Sequence, residues 1–242
     1  MIQTTVKNGA IEGIELIDNG STLTCKACEQ AKATCKQIRR ECKAPLADAF
    51  GVEVDINLWG LSPMPSLGGR GYYVTFMDDY SRYTKLTPLQ SKDKTLDAYK
   101  SFAAWAQTQH GAKIKRLQSD HSGKYTSTAF TQFLKSQGTE HCLTTHDTPQ
   151  HIGVAEALNC QLVEHLRMSL IQASLLKFLW AEAAQFAIWV KNRTPTKVLG
   201  YATPFEQLTR QKPNLAGVPE WGQHMWVYDN SGSKLNTRTL AA

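Results

Sequence analysis

From Val52 onward the spacing of apolar residues switches between two and three-to-four, and the order of those switches constrains this chain more than any other feature. Residues 54–60, "VDINLWG", alternate strictly, with Val54, Ile56 and Leu58 on one face and Asp55 and Asn57 on the other. "GYYVTFMDDYSRYTKLTPL" (71–89) reads as two further strands joined by a turn at Asp78-Asp79-Tyr80-Ser81. "KTLDAYKSFAAWAQTQHG" (94–111) then takes the helical period, with Leu96, Tyr99, Ala103 and Ala106 inward and Gly111 as its stop. A strand over "AKIKRLQSD" delivers Asp120 at its C-terminal edge. A short helix ends at Gly138, and "TEHCLTT" supplies a fifth strand. A loop with Pro149 and Gly153 leads into a helix from Val154 to about Ala173, and "FLWAEAAQFAIWVKN" forms another before the "RTPTK" loop. Three strands, helix, strand, helix, strand and then helices is an α/β layer order with one mixed sheet.

Composition excludes several classes. The longest apolar runs are broken by Glu182, Gln185 and Lys191, so no transmembrane helix is expected. "MIQTTVKNGAIEG" lacks the basic start and apolar stretch of a secretory signal. Six cysteines without such a signal point to a reducing compartment, where metal binding is a commoner use than disulfides. The formal net charge of +6 leans weakly toward polyanionic partners. Six of the basic side chains (Lys26, Lys32, Lys36, Arg39, Arg40, Lys43) crowd residues 26–43, which suits either a solvated linker or phosphate contact. Cys25 and Cys28 have the spacing of half a tetrahedral zinc site, and no histidine occurs before His110 to complete it.

Asp55 or Asn57, Asp120 and Glu156 lie on separate elements that this topology can bring together. Asp120 leaves a strand end, and Glu156 is expected to open a helix, where the macrodipole favours an anion. Converging carboxylates are what Mg²⁺ requires, and two such ions can activate a hydroxyl and stabilise the leaving oxygen of a phosphodiester. Taken alone, three scattered acids are more often plain surface groups.

Their surroundings change that reading. "CKAC", "VDINLWG", "GYYVTFMDDYSRYT", "LQSDHSGKYTS", "TPQHIGVAEALN", "FLWAEA", "NRTPTK" and "TPFEQLT" occur in the order seen in the integrase of copia-type LTR retrotransposons, which the chain resembles over nearly its whole length. The resemblance implies an RNase H-like fold, a five-stranded mixed sheet flanked by helices. It also implies a D-D-35-E metal site, and thirty-five residues lie between Asp120 and Glu156. With it come Mg²⁺ or Mn²⁺ as cofactor, end processing and strand transfer by in-line attack on phosphorus, element and target DNA (and RNA) as partners, a homo-oligomer, and a nuclear location. Residues 1–43 would be the later part of a His-His-Cys-Cys zinc module with a basic linker, 44–212 the catalytic core and 213–242 a tail. Cys25 and Cys28 would be half of the zinc ligands.

The family's first aspartate stands three residues before the glycine, and here that place holds Asn57. An amide oxygen can ligate Mg²⁺ but brings no charge, and Asp55 is a poor substitute two residues back, roughly 6–7 Å along the strand. Asp120, Glu156 and Asn57 are thus the expected metal positions, with Asn57 degraded. His121, Ser122 and Lys124 stand where the usual pattern runs Asp-Asn-Gly-Gly-Glu from Asp120 with Gly123 kept, His151-Ile152 replaces Gln-Asn, Ala157 replaces a basic residue and Cys160 replaces arginine. Asp to Asn, Gly to Ser, Glu to Lys and Arg to Cys each need one transition, the pattern of cytosine deamination in a silenced repeat. The resemblance therefore implies an impaired copy. A non-catalytic nucleic-acid-binding remnant is the alternative, and a zinc-dependent interaction module a third reading.

The remaining signals are structural. Trp59, Trp105, Trp180 and Trp189 fall on apolar faces and suit a core better than base stacking. Cys142 reads as a small buried apolar residue. His146 and His151 read as solvated loop histidines. Ser169 has no nucleophile-elbow context, which disfavours acyl transfer.

Overall fold

The computed structural model describes residues 9, 12–13, 45–120, 122–123, 125–143, 149–223, 226–228 and 239–241, the side chains of 149–156, 226–228 and 239–241 excepted. Cys25, Cys28 and the basic run lie outside the described residues, as do His121, Lys124 and His146.

A five-stranded sheet has the order β3-β2-β1-β4-β5. β1 (Glu53–Gly60), β2 (Tyr72–Asp78) and β3 (Thr84–Leu89) form an antiparallel meander. β4 (Arg116–Ser119) and β5 (Glu140–Leu143) run parallel to β1. α1 (Thr95–His110) and α2 (Thr128–Gln137) make the two parallel crossovers, while α3 (Pro149–Gln172), α4 (Trp180–Asn192) and α5 (Pro204–Thr209) follow. A short antiparallel pair, β6 (Trp226–Tyr228) and β7 (Thr239–Ala241), stands apart. Meander, crossover, parallel strand, crossover, parallel strand is the RNase H-like order.

Local chemistry explains the boundaries. α1 stops at Gly111, whose φ of 62° returns its N–H to the carbonyls of Ala106 and Gln107. Ser127 caps α2 by accepting from Phe130 N, and Thr203 caps α5 by accepting from Glu206 N at 3.0 Å. Gly60 ends β1 at φ 131°, where an added Cβ would lie 2.5 Å from Tyr72 Cδ1, so no side chain fits.

The sheet divides the core. Val54 and Ile56 of β1, with Val74, Phe76 and Leu117, pack beneath Tyr99, Phe102 and Ala106 of α1 and Phe130 and Leu134 of α2. The opposite face takes α3 and α4. Leu158, Leu162, Leu166 and Leu170 form a buried stripe along α3, and Ala181, Ala184 and Ala187 of α4 let the two helices come close. Trp59, Tyr73 and Trp180 pack together on that side, with Trp59 and Tyr73 stacked at 4.9 Å. These tryptophans are core residues, and Trp105 packs against the first cluster.

Three expectations need correction. β1 is central, but its antiparallel neighbour is β2 and not the strand carrying Leu86. α3 begins five residues before Val154, so Glu156 is its eighth residue, beyond the first turn where the macrodipole acts. Cys142 is only half-buried, because β5 is an edge strand.

Candidate functional site

The β1–β4 ladder pairs Val54 with Leu117 and Asp55 with Gln118. Asn57 follows Asp55 by two residues in β1, and Asp120 follows Gln118 by two, one residue past the end of β4. Asp55 sits about 6.6 Å back from Asn57 along β1. Across the other ladder Asn57 faces Thr75, whose hydroxyl donates to the Asn57 carbonyl at 3.4 Å.

Asp120 is exposed, and its Oδ1 accepts from Ser122 N at 3.0 Å and from Ser122 Oγ at 2.5 Å. The residue before it is anchored from behind. Ser119 Oγ lies 2.8 Å from His141 Nε2 and donates to the Asp120 carbonyl at 3.1 Å. Burial lowers the His141 pKa, which favours the neutral ring.

Glu156 lies on α3, and α3 contacts β1. Its side chain is outside the description, so the structure gives no distance for it. One turn on, at the position three residues after Glu156, Asn159 Oδ1 accepts from Tyr73 OH at 3.4 Å. Spacing alone signals neither the Ser119–His141 nor the Tyr73–Asn159 contact, because each joins residues far apart in the chain.

Asp55 belongs to a different network. Burial, chiefly, raises its pKa to about 7, and the nearby carboxylates of Asp79 and Glu53 push in the same direction against Arg82. Asp79 pairs with Arg82 at 2.9 Å and accepts from Ala47 N. Asp78, fully buried, accepts from Gly51 N at 2.8 Å and from Ser81 N and Oγ at 2.7 and 2.6 Å. The "DDYSR" acids thus tie the β2–β3 turn to the segment before β1, an architectural task.

Among the described residues no three His, Cys, Asp or Glu side chains form a group able to hold a metal ion. Of the expected ligands, Asp120 brings a carboxylate and Asn57 a neutral amide. A two-ion phosphoryl-transfer centre needs a charged oxygen ligand at the shared position. The described donor pair does not fit that centre.

The sequence comparisons agree on the family. Residues 56–149 match the model of the integrase core domain. The Pol polyprotein of transposon TNT 1-94 of Nicotiana tabacum is 37% identical over 163 residues, covering 67% of this chain and 12% of that protein. That of transposon RE2 of Arabidopsis thaliana is 31% identical over 185 residues, covering 76% and 12%. The Ty1-DR6 Gag-Pol polyprotein of Saccharomyces cerevisiae is 30% identical over 178 residues, covering 70% and 10%. The HTLV-2 integrase catalytic core domain, solved in complex with magnesium in a trimeric form, aligns with a TM-score of 0.48 at 16% identity, over 65% of this chain and 96% of that one.

Fold and sequence together define an integrase catalytic core. The chain belongs to the copia type of retrotransposon integrase, and the match spans about an eighth of the length of the Pol polyproteins of TNT 1-94 and RE2. Among the described residues no helix is long and apolar enough to cross a membrane.

Proposed function

We propose that this chain is a copia-type integrase core that binds nucleic acid and whose strand-transfer chemistry is impaired at its first ligand position. The observation that supports the reading is the β1–β4 register, in which Asn57 and Asp120 each follow the Asp55–Gln118 pair by two residues. In the intact reaction, carboxylates at the positions of Asn57, Asp120 and Glu156 hold Mg²⁺ or Mn²⁺, which stabilises charge during attack on phosphorus. Asn57 supplies an oxygen without charge. Asp55 does not replace it on this reading, since it is set one pleat repeat back and its desolvation beside Asp79 and Glu53 favours the protonated form.

DNA is the partner on this reading, bound as element ends and target by lysines and arginines in a homo-oligomer, and the nucleus is where such joining takes place. Residues 1–43 would add a zinc half-module through Cys25 and Cys28. The test is Mg²⁺-dependent joining of short pre-processed DNA ends. The unmodified protein should join little or nothing while binding DNA with a steep inverse salt dependence, because phosphate contacts release counterions. Robust joining by the unmodified protein overturns the impairment, and salt-insensitive binding overturns the nucleic-acid reading.

A further inference from the structure

Asp120 lies one residue beyond β4, where the sheet no longer directs the chain. The ladder to β1 ends with Asp55 and Gln118, and the ladder to β5 ends with Ser119 and Leu143. The next contact comes from the edge strand β5. His141 is level with Leu117 in that ladder, and its ring reaches along to Ser119, whose Oγ lies 2.8 Å from Nε2. The ring packs against Phe130 of α2 with centroids 6.2 Å apart, and Ser119 is 2% exposed, which shields the contact from water. Ser119 Oγ gives its hydrogen to the Asp120 carbonyl at 3.1 Å, so it accepts from His141, and the ring carries a proton on Nε2. The carbonyl held in this way belongs to the peptide that leads from Asp120 into the loop. Within that loop Ser122 N donates to Asp120 Oδ1 at 3.0 Å, a local bond that depends on how the same peptide is turned.

We propose that His141 is a positioning residue for Asp120, acting through Ser119: it fixes the first peptide of the loop and with it the direction of the Asp120 carboxylate. The role in joining rests on the integrase reading of Asp120, whereas the orientation of the carboxylate does not. A Ser–His contact that only satisfied two polar groups near a sheet edge would cost stability when removed and leave the Asp120–Ser122 bond in place.

Three variants of the full chain test the role. Ser119→Ala removes the relay. His141→Leu removes the donor and keeps an apolar side chain beside Phe130, and His141→Gln keeps an N–H donor near the place of Nε2. Hydrogen exchange of the Ser122 amide is read by NMR relative to Gly111, whose N–H closes α1 far from the relay. In Ser119→Ala and His141→Leu that relative rate should rise about tenfold, and in His141→Gln it should return to within about twofold of the parent. Placed in Asn57→Asp, the first two changes should each lower kcat for joining pre-processed DNA ends about tenfold, with KM for DNA unchanged. Their combination should lose no more than either alone. An unchanged relative rate at Ser122 in both variants would overturn the positioning role, and so would additive losses of kcat. If Asn57→Asp joins no ends, the integrase reading fails by itself, and exchange at Ser122 still decides the role of His141. If His141→Leu does not fold, Ser119→Ala and His141→Gln decide it.

Discussion

Asn57 and Asp120 each lie two residues past the paired Asp55 and Gln118 of the β1–β4 ladder, and only one of them carries a charge. This contrast sets what the catalytic face can do. A carboxylate at the Asn57 position would help hold divalent metal, which would supply charge stabilisation and positioning for attack on phosphorus. An amide at that place keeps the shape and loses the charge. Asn57→Asp should therefore raise strand transfer above the unmodified chain, though only in part, because Lys124 and Cys160 still depart from the family pattern. Mn²⁺, which tolerates imperfect geometry, should show the gain more clearly than Mg²⁺. Gel-based joining of pre-processed ends checks this, and loss of activity in Asp55→Asn alone would reassign the first ligand to Asp55.

Metal affinity gives a measure independent of turnover. A lost close charge contact in a partly shielded site is worth on the order of a few kcal/mol. Calorimetry should find Mg²⁺ binding to the unmodified chain weak and to Asn57→Asp markedly tighter. Equal affinities would show that Asn57 is not a ligand position.

Much of this was legible before any coordinates, for physical reasons. The two-residue beat of β1 and β2 and the Gly111 and Gly138 stops are local signals, so the order of elements along the chain followed from them, whereas the pairing of β1 with β2 did not. The start of α3 was not legible. Gly153 normally breaks a helix, yet here it lies inside 24 helical residues whose leucine stripe packs on the sheet, and packing outweighs propensity. Asp55 read as one of two polar residues facing a site. Its burial beside Asp79 and Glu53 depends on a turn more than twenty residues away, which no local pattern contains.

The link between α4 and the sheet offers a stability test. Asn192 is 2% exposed, accepts from Thr84 N at 2.9 Å and donates to Thr84 O at 2.7 Å, so one side chain pairs the outer backbone groups of edge strand β3. Asn192→Ala leaves both groups buried and unpaired. It should cost about 2–3 kcal/mol and lower Tm by roughly 4–12 °C, read by urea and thermal denaturation. A cost within experimental error would mean that water replaces the amide.

The last expectation concerns pH, where two half-buried groups act in opposite windows. The Asp55 pKa is raised from 3.8 to about 7 in the fold, mainly by burial. Between those values the unfolded chain has lost this proton and the folded chain keeps it, so stability from Asp55 falls as pH rises. Lys191 is lowered from 10.5 to about 7, mainly by burial and then by Arg82, while its Nζ donates to the Arg82 carbonyl and, at 2.6 Å, to Thr84 Oγ1. Above about 7 the folded chain gives up the lysine proton and the unfolded chain keeps it, so stability from Lys191 rises with pH up to the ordinary lysine range. The two contributions meet in a minimum near neutrality. Urea midpoints for Asp55→Asn should lose the decline on the acid side and gain about 2 kcal/mol relative to the unmodified chain near pH 8. Lys191→Met should lose the rise on the alkaline side and leave the acid side unchanged. Parallel curves for variant and parent in both windows would show that neither group titrates differently in the fold.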